Sequence, residues 1–276
     1  MTMLRVLPFL LAIALHAAAP FKIIDAGIRQ GEDGPSMPGG TTFVPGEVIF
    51  FSCRLEGYQV SPVKKVALQY EFTAVDPSGV AIIEPVSEKI EAELAAEDKD
   101  WKPKIRQTVL VPSFADSGSY KMRVTVKDTL SGEVRSAELS FVVRGHAVEP
   151  AATVTVRNFS FYRKEDDAEP LAVAAYRPGD AVWARFDITG YKFGAENMRD
   201  VAYTVTVTAE SGRVLLAPGE PSGDKGPTFY PVRYVPCVIS LNLQPNIAPG
   251  AYTVAIRAED RVGGQSSESK QVFRVE

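Results

Sequence analysis

Two stretches of the chain follow the same pattern: residues 43–58 read FVPGEVIFFSCRLEGY, and residues 176–191 read YRPGDAVWARFDITGY. Each stretch opens on a Pro-Gly-acid step, continues with alternating apolar residues and closes on Gly-Tyr. Alternation with a period of two is typical of a β-strand with one buried face. The two stretches lie 133 positions apart, and this spacing predicts a duplicated β module.

The same register extends over most of the chain. With the offset of 133, and of 132 after the loss of one residue from the second copy, the matched pairs are Tyr70 with Tyr203, Ser78-Gly79 with Ser211-Gly212, Pro112 with Pro245, Gly118 with Gly250, Tyr120 with Tyr252, Asp128 with Asp260 and Phe141 with Phe273. A period this long indicates tandem domains rather than a solenoid. We expect a first copy at 20–145, a linker at 146–150 and a second copy at 151–276.

Each copy has the pattern of a sandwich of short strands. Alternation recurs at 202–208 and 252–257, and Pro-Gly, Ser-Gly and Gly-Gly turns separate the runs. About seven strands per copy predict an all-β fold of two antiparallel β-sandwiches. The Glu- and Ala-rich stretch Glu88–Asp98 is compatible with a helix. Its counterpart, Pro221–Gly226, is rich in Gly and Pro, so we expect a loop or a single turn there.

The N-terminus has the features of a secretory signal peptide. Arg5 precedes the apolar run Leu7–Leu15, and Ala17–Ala19 offers a cleavage pattern close to Pro20. We therefore expect residues 1–19 to be removed and the protein to be secreted or periplasmic, with an uncleaved N-terminal anchor as the alternative. No later run is apolar for long enough to predict a membrane helix.

Composition excludes some classes of partner. Hydrophobic residues make up 45% of the chain, which is typical of a globular protein, and the net charge is −4. Without a basic excess, binding to nucleic acid is not expected. The expected partner is another envelope or extracellular protein, or a glycan.

Two further motifs resemble a known family. Asp116-Ser117-Gly118-Ser119-Tyr120 resembles the tyrosine corner of immunoglobulin-like domains, and the second copy keeps Pro249-Gly250-Ala251-Tyr252. The second copy is also similar to the macroglobulin-type sandwich of exported bacterial proteins, through Tyr176–Val182 and a closing segment that ends at Phe273–Val275. The resemblance implies a tandem immunoglobulin-like or macroglobulin-type fold. It implies no activity.

The two cysteines fall on predicted core faces. Cys53 alternates with Ile49, Phe51 and Leu55, whereas Cys237 alternates with Ile239, Leu241 and Leu243. Two thiols in separate cores cannot form a disulfide without a large rearrangement. We expect two buried free thiols, with an intermolecular disulfide as the alternative.

The chain is poor in groups for catalysis. Its histidines are His16, in the predicted signal peptide, and His146, in the predicted linker. Acidic runs at 97–100 and 165–167 carry oxygens that could bind Ca²⁺, but solvated turns are the simpler interpretation. We expect no catalytic residue, no cofactor and no metal site. A hydrolase that uses paired carboxylates remains an alternative.

One aromatic loop is the candidate site for ligand contact. After a Gly- and Pro-rich stretch, the chain carries Phe229, Tyr230, Arg233 and Tyr234. Aromatic rings with an arginine suit recognition of a peptide or of a sugar. The alternative is packing over the end of the sandwich, because Trp101 matches Tyr234 in the first copy. We expect an exported, non-enzymatic interaction or structural module, with a carbohydrate- or peptide-binding accessory protein as the alternative.

Overall fold

The computed structural model describes residues 20–98 and 100–276, so the predicted signal peptide lies outside the described residues. Within them the chain folds into seventeen β-strands and one short 3₁₀ turn. The strands of the N-terminal half are β1 Lys22–Arg29, β2 Thr42–Phe43, β3 Val48–Glu56, β4 Lys65–Val75, β5 Val86–Glu93, β6 Lys104–Leu110, β7 Gly118–Asp128 and β8 Val134–Val143. Those of the C-terminal half are β9 Thr155–Tyr162, β10 Ala175–Tyr176, β11 Ala181–Thr189, β12 Arg199–Ala209, β13 Val214–Leu216, β14 Ser222–Gly226, β15 Tyr234–Asn242, β16 Gly250–Asp260 and β17 Gln265–Val275, with the 3₁₀ turn at Ala195–Asn197.

The strands form four sheets in two matching pairs. In the N-terminal half, the sheet β1-β3-β6 accompanies the sheet β2-β8-β7-β4-β5. In the C-terminal half, the sheet β15-β11-β9 accompanies the sheet β10-β17-β16-β12-β13, and β14 also pairs with β12. The prediction of an all-β, antiparallel fold is confirmed. Among the strands that the structure describes, only the two-residue strands β2 and β10 pair in parallel, with β8 and β17.

Each pair of sheets encloses a hydrophobic cluster of its own. The alternation in the two quoted stretches accounts for it directly. In β3 the buried apolar residues are Ile49, Phe51, Cys53 and Leu55, and in β11 they are Val182, Ala184, Phe186 and Ile188. Because successive side chains of a strand point to opposite faces, these residues lie on the face that meets the second sheet. The predicted core faces are therefore correct.

Turns occur at matching positions of the two copies. Gly46 and Gly179, which close the two Pro-Gly steps, have φ angles of 85° and 88°. This left-handed conformation favours glycine because glycine has no Cβ. The paired turns explain why the Pro-Gly steps occupy the same place in both copies.

A buried aspartate fixes a loop in each half. The Asp128 carboxylate accepts hydrogen bonds from the backbone N–H groups of Gln59 (2.8 Å) and Leu130 (3.0 Å). Its counterpart Asp260 accepts them from Lys192 (2.9 Å) and Val262 (3.0 Å). Each carboxylate therefore ties the turn that follows its own strand to a distant loop.

Both tyrosine corners are formed. The Tyr120 hydroxyl donates a hydrogen bond to the Asp116 carbonyl oxygen over 2.9 Å. The Tyr252 hydroxyl donates to the Ala248 carbonyl oxygen over 2.6 Å. The acceptor is a backbone oxygen in each case, so the corner persists in the second copy without the aspartate.

The prediction of a loop or a single turn at Glu88–Asp98 was wrong for residues 88–93 and correct for the turn that follows them. Residues up to Glu93 belong to β5, which pairs with β4 as an edge strand, and Ile90 packs against the core. The counterpart, β14, pairs with β12 in the same way. Pairing with the free edge of the neighbouring strand satisfies backbone groups along β5. That gain outweighs the low strand propensity of Glu and Ala.

Both cysteines are buried free thiols, as predicted. Burial raises the pKa of Cys53 and of Cys237 to about 12. The thiols are therefore held in the neutral form that a hydrophobic core favours.

No helix among the described residues is long and apolar enough to cross a membrane.

Candidate functional site

The centre of the candidate site is Arg233, which lies just before β15 and contacts the first sandwich. Its guanidinium donates a hydrogen bond to Oδ2 of Asp76 over 2.8 Å and a second to the Asp116 carboxylate. The Asp76 side chain is fully buried, and that of Arg233 is one-third exposed. One arginine of the C-terminal half thus binds two carboxylates of the N-terminal half.

Tyr230 reinforces this contact. Its ring is 7% exposed and belongs to the hydrophobic cluster of the first sandwich, although its backbone lies in the second half of the chain. Its hydroxyl donates to Oδ2 of Asp76 over 3.0 Å. Burial raises the pKa of Tyr230, so the hydroxyl keeps the proton that it donates.

The two carboxylate oxygens of Asp76 bind different partners. Oδ1 accepts hydrogen bonds from the backbone N–H groups of Ser78 and Val80, each over 2.8 Å, and so fixes the turn after β4. Oδ2 faces Arg233 and Tyr230. Burial opposes ionisation of this carboxyl group, but the hydrogen bonds from Val80, Arg233 and Tyr230 hold its pKa below the ordinary value. Asp76 is therefore a buried anion with a complete set of donors.

The anchoring residues occur where the two copies differ. In the repeat register, Ala209 replaces Asp76, Ala248 replaces Asp116, and Asp100 stands where the second copy has Arg233. These side chains therefore do not recur in the sandwich that the two copies share. Their contact joins the two halves.

A second set of contacts holds the linker segment. His146 Nε2 lies 2.7 Å from Oδ2 of Asp187, a residue that is 4% exposed. Asn158, at a bulge in β9 with φ of 51°, donates to the same oxygen over 2.7 Å and to the Ala147 carbonyl oxygen over 2.9 Å. These bonds fasten the linker to the sheet β15-β11-β9.

Aromatic rings complete the joint. Tyr234 meets Phe114 of the first half edge-to-face, with 5.7 Å between ring centroids, and its ring lies 5.3 Å from that of His146. Such pairs add about 0.5–1.5 kcal/mol beyond the area that they bury. We call Asp76, Asp116, Tyr230, Arg233 and Tyr234 the joint cluster.

Two clefts flank the joint cluster. One of about 640 Å³ is lined by the linker and by Asp116, Arg233 and Tyr234. The other, of about 360 Å³, lies between Phe114 and Tyr162. The charged groups of the cluster form ion pairs with one another, and these ion pairs connect the two halves.

The structure brings together three of the four predicted ligand-contact residues. Tyr230, Arg233 and Tyr234 belong to the joint cluster, and their side chains make contacts within the chain. Phe229 is 50% exposed and is not part of the joint cluster. The ligand role of the four residues stays a prediction.

Sequence reasoning missed the partners of these residues. Asp76 and Asp116 were not singled out as partners of Arg233, nor Asp187 as the partner of His146. A signal was present for the first two, because both aspartates are replaced by alanine in a copy that otherwise keeps the register. That asymmetry marks positions with a role outside the repeated fold.

The acidic runs serve as turns. The Asp167 carboxylate accepts hydrogen bonds from the backbone N–H groups of Arg163 (3.2 Å) and Lys164 (3.0 Å), and Asp98 accepts one from Ala95 (2.9 Å). Among residues 20–98 and 100–276, no group of three or more His, Cys, Asp or Glu side chains is placed to hold a metal ion.

Comparisons with known proteins find matches among solved structures. No family model and no curated protein matches the chain. Among solved structures, the C-terminal domain of the AgI/II polypeptide BspA of Streptococcus agalactiae is similar at 12% identity and a TM-score of 0.33, over 92% of this chain and 100% of that one. The alkylpurine DNA glycosylase AlkC of Pseudomonas fluorescens, bound to DNA with an abasic site analogue, is similar at 17% identity and a TM-score of 0.29, over 45% of this chain and 30% of that one. At such TM-scores neither likeness bears on function.

Proposed function

We propose that the chain is an exported, non-enzymatic interaction or structural module in which two immunoglobulin-like sandwiches act as one rigid unit. The observation that carries the proposal is the joint cluster, in which Arg233 of one half binds Asp76 and Asp116 of the other. Domain pairs in one chain usually move relative to one another unless their interface is large and hydrophobic. A buried ion pair and a tyrosine inserted into the opposite cluster oppose such motion.

The strand order supports the immunoglobulin-like part of the proposal. The first, third and sixth strands of the N-terminal half form one of its sheets, as do the first, third and seventh strands of the C-terminal half, and the remaining strands of each half form the other sheet. A tyrosine corner opens the strand before the last in both halves. Sandwiches of this kind bind through loops or edges held by a rigid frame.

Energetics favour a fixed joint. Removing one partner of a buried ion pair leaves an uncompensated charge and costs about 3–5 kcal/mol when the pair is fully buried. Arg233 is one-third exposed, so the cost here is smaller, about 1–3 kcal/mol. A contact of that strength favours one relative orientation of the halves over others by roughly 5- to 150-fold.

Export and partner class rest on the sequence. The apolar run Leu7–Leu15 after Arg5 supports secretion. The corresponding partner is a protein or glycan of the cell envelope or its surroundings, and the chain would be secreted or periplasmic.

Affinity capture tests the proposal. The mature chain, its Arg233→Ala variant and an Arg257→Ala control are immobilised, and material from native envelope and culture fluid is identified by mass spectrometry. Arg257 is an exposed arginine in β16, so its loss removes a charge without touching the joint. We expect a partner retained by the mature chain and the control and reduced with Arg233→Ala. Equal retention by all three would contradict a function that depends on the fixed joint, and release of a converted product would contradict a non-enzymatic role.

A further inference from the structure

The second sandwich has an opening along one side, between the strands β13 and β15. The opening, here called the edge groove, has a volume of about 490 Å³. Leu215 and Leu216 line one side, and residues 240–243 line the other. Its floor includes Val207 and Phe273, which are 3% and 0% exposed and belong to the core. The groove therefore leads from the surface to the hydrophobic interior.

The first sandwich is closed at the same place. Ile82 matches Leu215 in the repeat register, and its backbone N–H donates to the Ala74 carbonyl oxygen over 2.9 Å. Ile82 is 5% exposed and is part of the core, whereas Leu215 is 36% exposed. The duplicated fold can thus close this edge with an apolar side chain, but the second copy leaves it open.

Exposure of this edge to water is energetically unfavourable for an isolated protein. Val214, Leu215 and Leu216 form a run of exposed apolar residues, at 54%, 36% and 39% exposure. β13 and β15 are also the outermost strands of their sheets at this side. An exposed apolar edge with unpaired backbone groups is a ready site for another strand. Such a combination usually marks an interaction surface.

The charge of the groove lining indicates which charge a ligand would carry. Arg213 is the one charged residue among the described residues that line it. Within the described part of the chain, no carboxylate forms an ion pair with Arg213. The remaining polar lining groups are the hydroxyl of Ser240 and three amides, those of Asn242, Gln244 and Asn246. An acidic group on the ligand would complement this lining.

We propose that the edge groove receives an extended, acidic segment of a partner protein. The segment adds as a strand to the outer edge of β15, places its inward apolar side chains over Val207 and Phe273, and sets a carboxylate against Arg213. Alternate side chains of a strand point the same way, so apolar residues at every second position reach the groove. This inference rests on the proposal that the chain is an interaction module, and it assigns that module a docking site away from the joint cluster.

The experiment begins with a random peptide library displayed on phage and selected against the mature chain. A synthetic peptide made from the selected sequence is then the probe in calorimetric titrations. We expect a sequence with alternating apolar residues and an acidic residue. Arg213→Ala should weaken its binding about tenfold, and Leu215→Glu should abolish it. The matched controls Arg257→Ala and Val272→Glu, both at exposed positions of the same sandwich, should bind like the unaltered chain.

Protection of backbone amides provides a second readout. If the peptide adds to β15, amide hydrogens on the outer edge of that strand should exchange more slowly with bound peptide, and those of β6 in the first sandwich should not change. Slower exchange in β13 alone would contradict the assignment to β15.

Several results would overturn the inference. Selection of no sequence, or binding unaffected by Leu215→Glu, would exclude a peptide in the groove. If the chain binds a glycan and Leu215→Glu abolishes that binding, the occupant of the groove is a sugar. If the chain associates with itself and Leu215→Glu abolishes that association, the occupant is a second copy of this chain. None of these results changes the capture comparison with Arg233→Ala, so a failure of the groove is distinguishable from a failure of the proposed scaffold.

Discussion

Arg233 donates a hydrogen bond to Asp76 over 2.8 Å, and the two residues lie 157 positions apart in the chain. The carboxylate belongs to a turn of the first sandwich and the guanidinium to a loop of the second. Neither residue has an equivalent of the same type in the other copy. The pair therefore joins the two modules, and neither side chain recurs in the fold that they share.

Replacing Arg233 should destabilise the protein. Arg233→Ala leaves the buried Asp76 without its cation, so we expect the free energy of unfolding to fall by about 1–3 kcal/mol in chemical denaturation. Arg233→Lys should recover only part of the loss, because an ammonium lacks the planar fork that reaches two carboxylates. Arg257→Ala should stay within about 0.5 kcal/mol of the unaltered chain. A loss for Arg233→Ala no greater than that of the control would count against the ion pair.

Stability should depend on pH through Asp76. Its pKa is lowered in the folded protein from an ordinary value of 3.8, so the unfolded chain binds the proton more readily. The contribution of Asp76 is thus fully present above the ordinary pKa and is lost as the pH falls through the folded value. The difference in unfolding free energy between the unaltered chain and Asp76→Asn should shrink over that acidic range. A difference that stays constant, or grows on acidification, would show that the carboxylate is not stabilised as described.

The two tyrosine corners should contribute similar amounts to the free energy of unfolding. Tyr120→Phe and Tyr252→Phe each remove a hydroxyl that donates to a backbone oxygen, and each should cost on the order of 1 kcal/mol. Tyr162→Phe is a suitable control, since its hydroxyl makes no hydrogen bond within the described residues. Unchanged unfolding midpoints for both corner variants would show that the corners do not stabilise the sandwiches.

The cysteines should be inert in the folded protein. With a pKa of about 12, roughly one thiol in 10⁴ is ionised at pH 8, and only the thiolate reacts with alkylating reagents. We expect mass spectrometry to find no alkylation of Cys53 or Cys237 under native conditions and complete alkylation of both after denaturation. Rapid native modification of either residue, or a disulfide-linked dimer, would favour the intermolecular disulfide left open by the sequence.

The sequence predicts what local pattern determines and misses what depends on the arrangement of the two modules. The core residues of β3 and β11 follow from alternation, because the period of a strand determines which face is buried. β5 did not follow, since pairing with β4 outweighs the local preferences of Glu and Ala. The partners of Arg233 depend on how the modules meet, which no local pattern encodes. The absence of Asp76 and Asp116 from the second copy was nevertheless visible in the sequence.

The edge groove is another feature that the sequence predicts only in part. The register aligns Leu215 with Ile82, but both are apolar and the sequence does not distinguish a core residue from an exposed one. The difference appears only when the segments are seen in place, Ile82 in the core and Leu215 at the rim of an opening.

The most direct test of the central claim is nuclear spin relaxation of backbone amides in the mature chain. Amides of β7 and β8 report the rotational motion of the first sandwich, and those of β16 and β17 report that of the second. If the joint cluster fixes the two sandwiches, both sets should give the long rotational correlation time expected of the whole chain, and in Arg233→Ala both should shorten towards the value of a single sandwich. Correlation times in the unaltered chain as short as those of a single sandwich would contradict a rigid tandem.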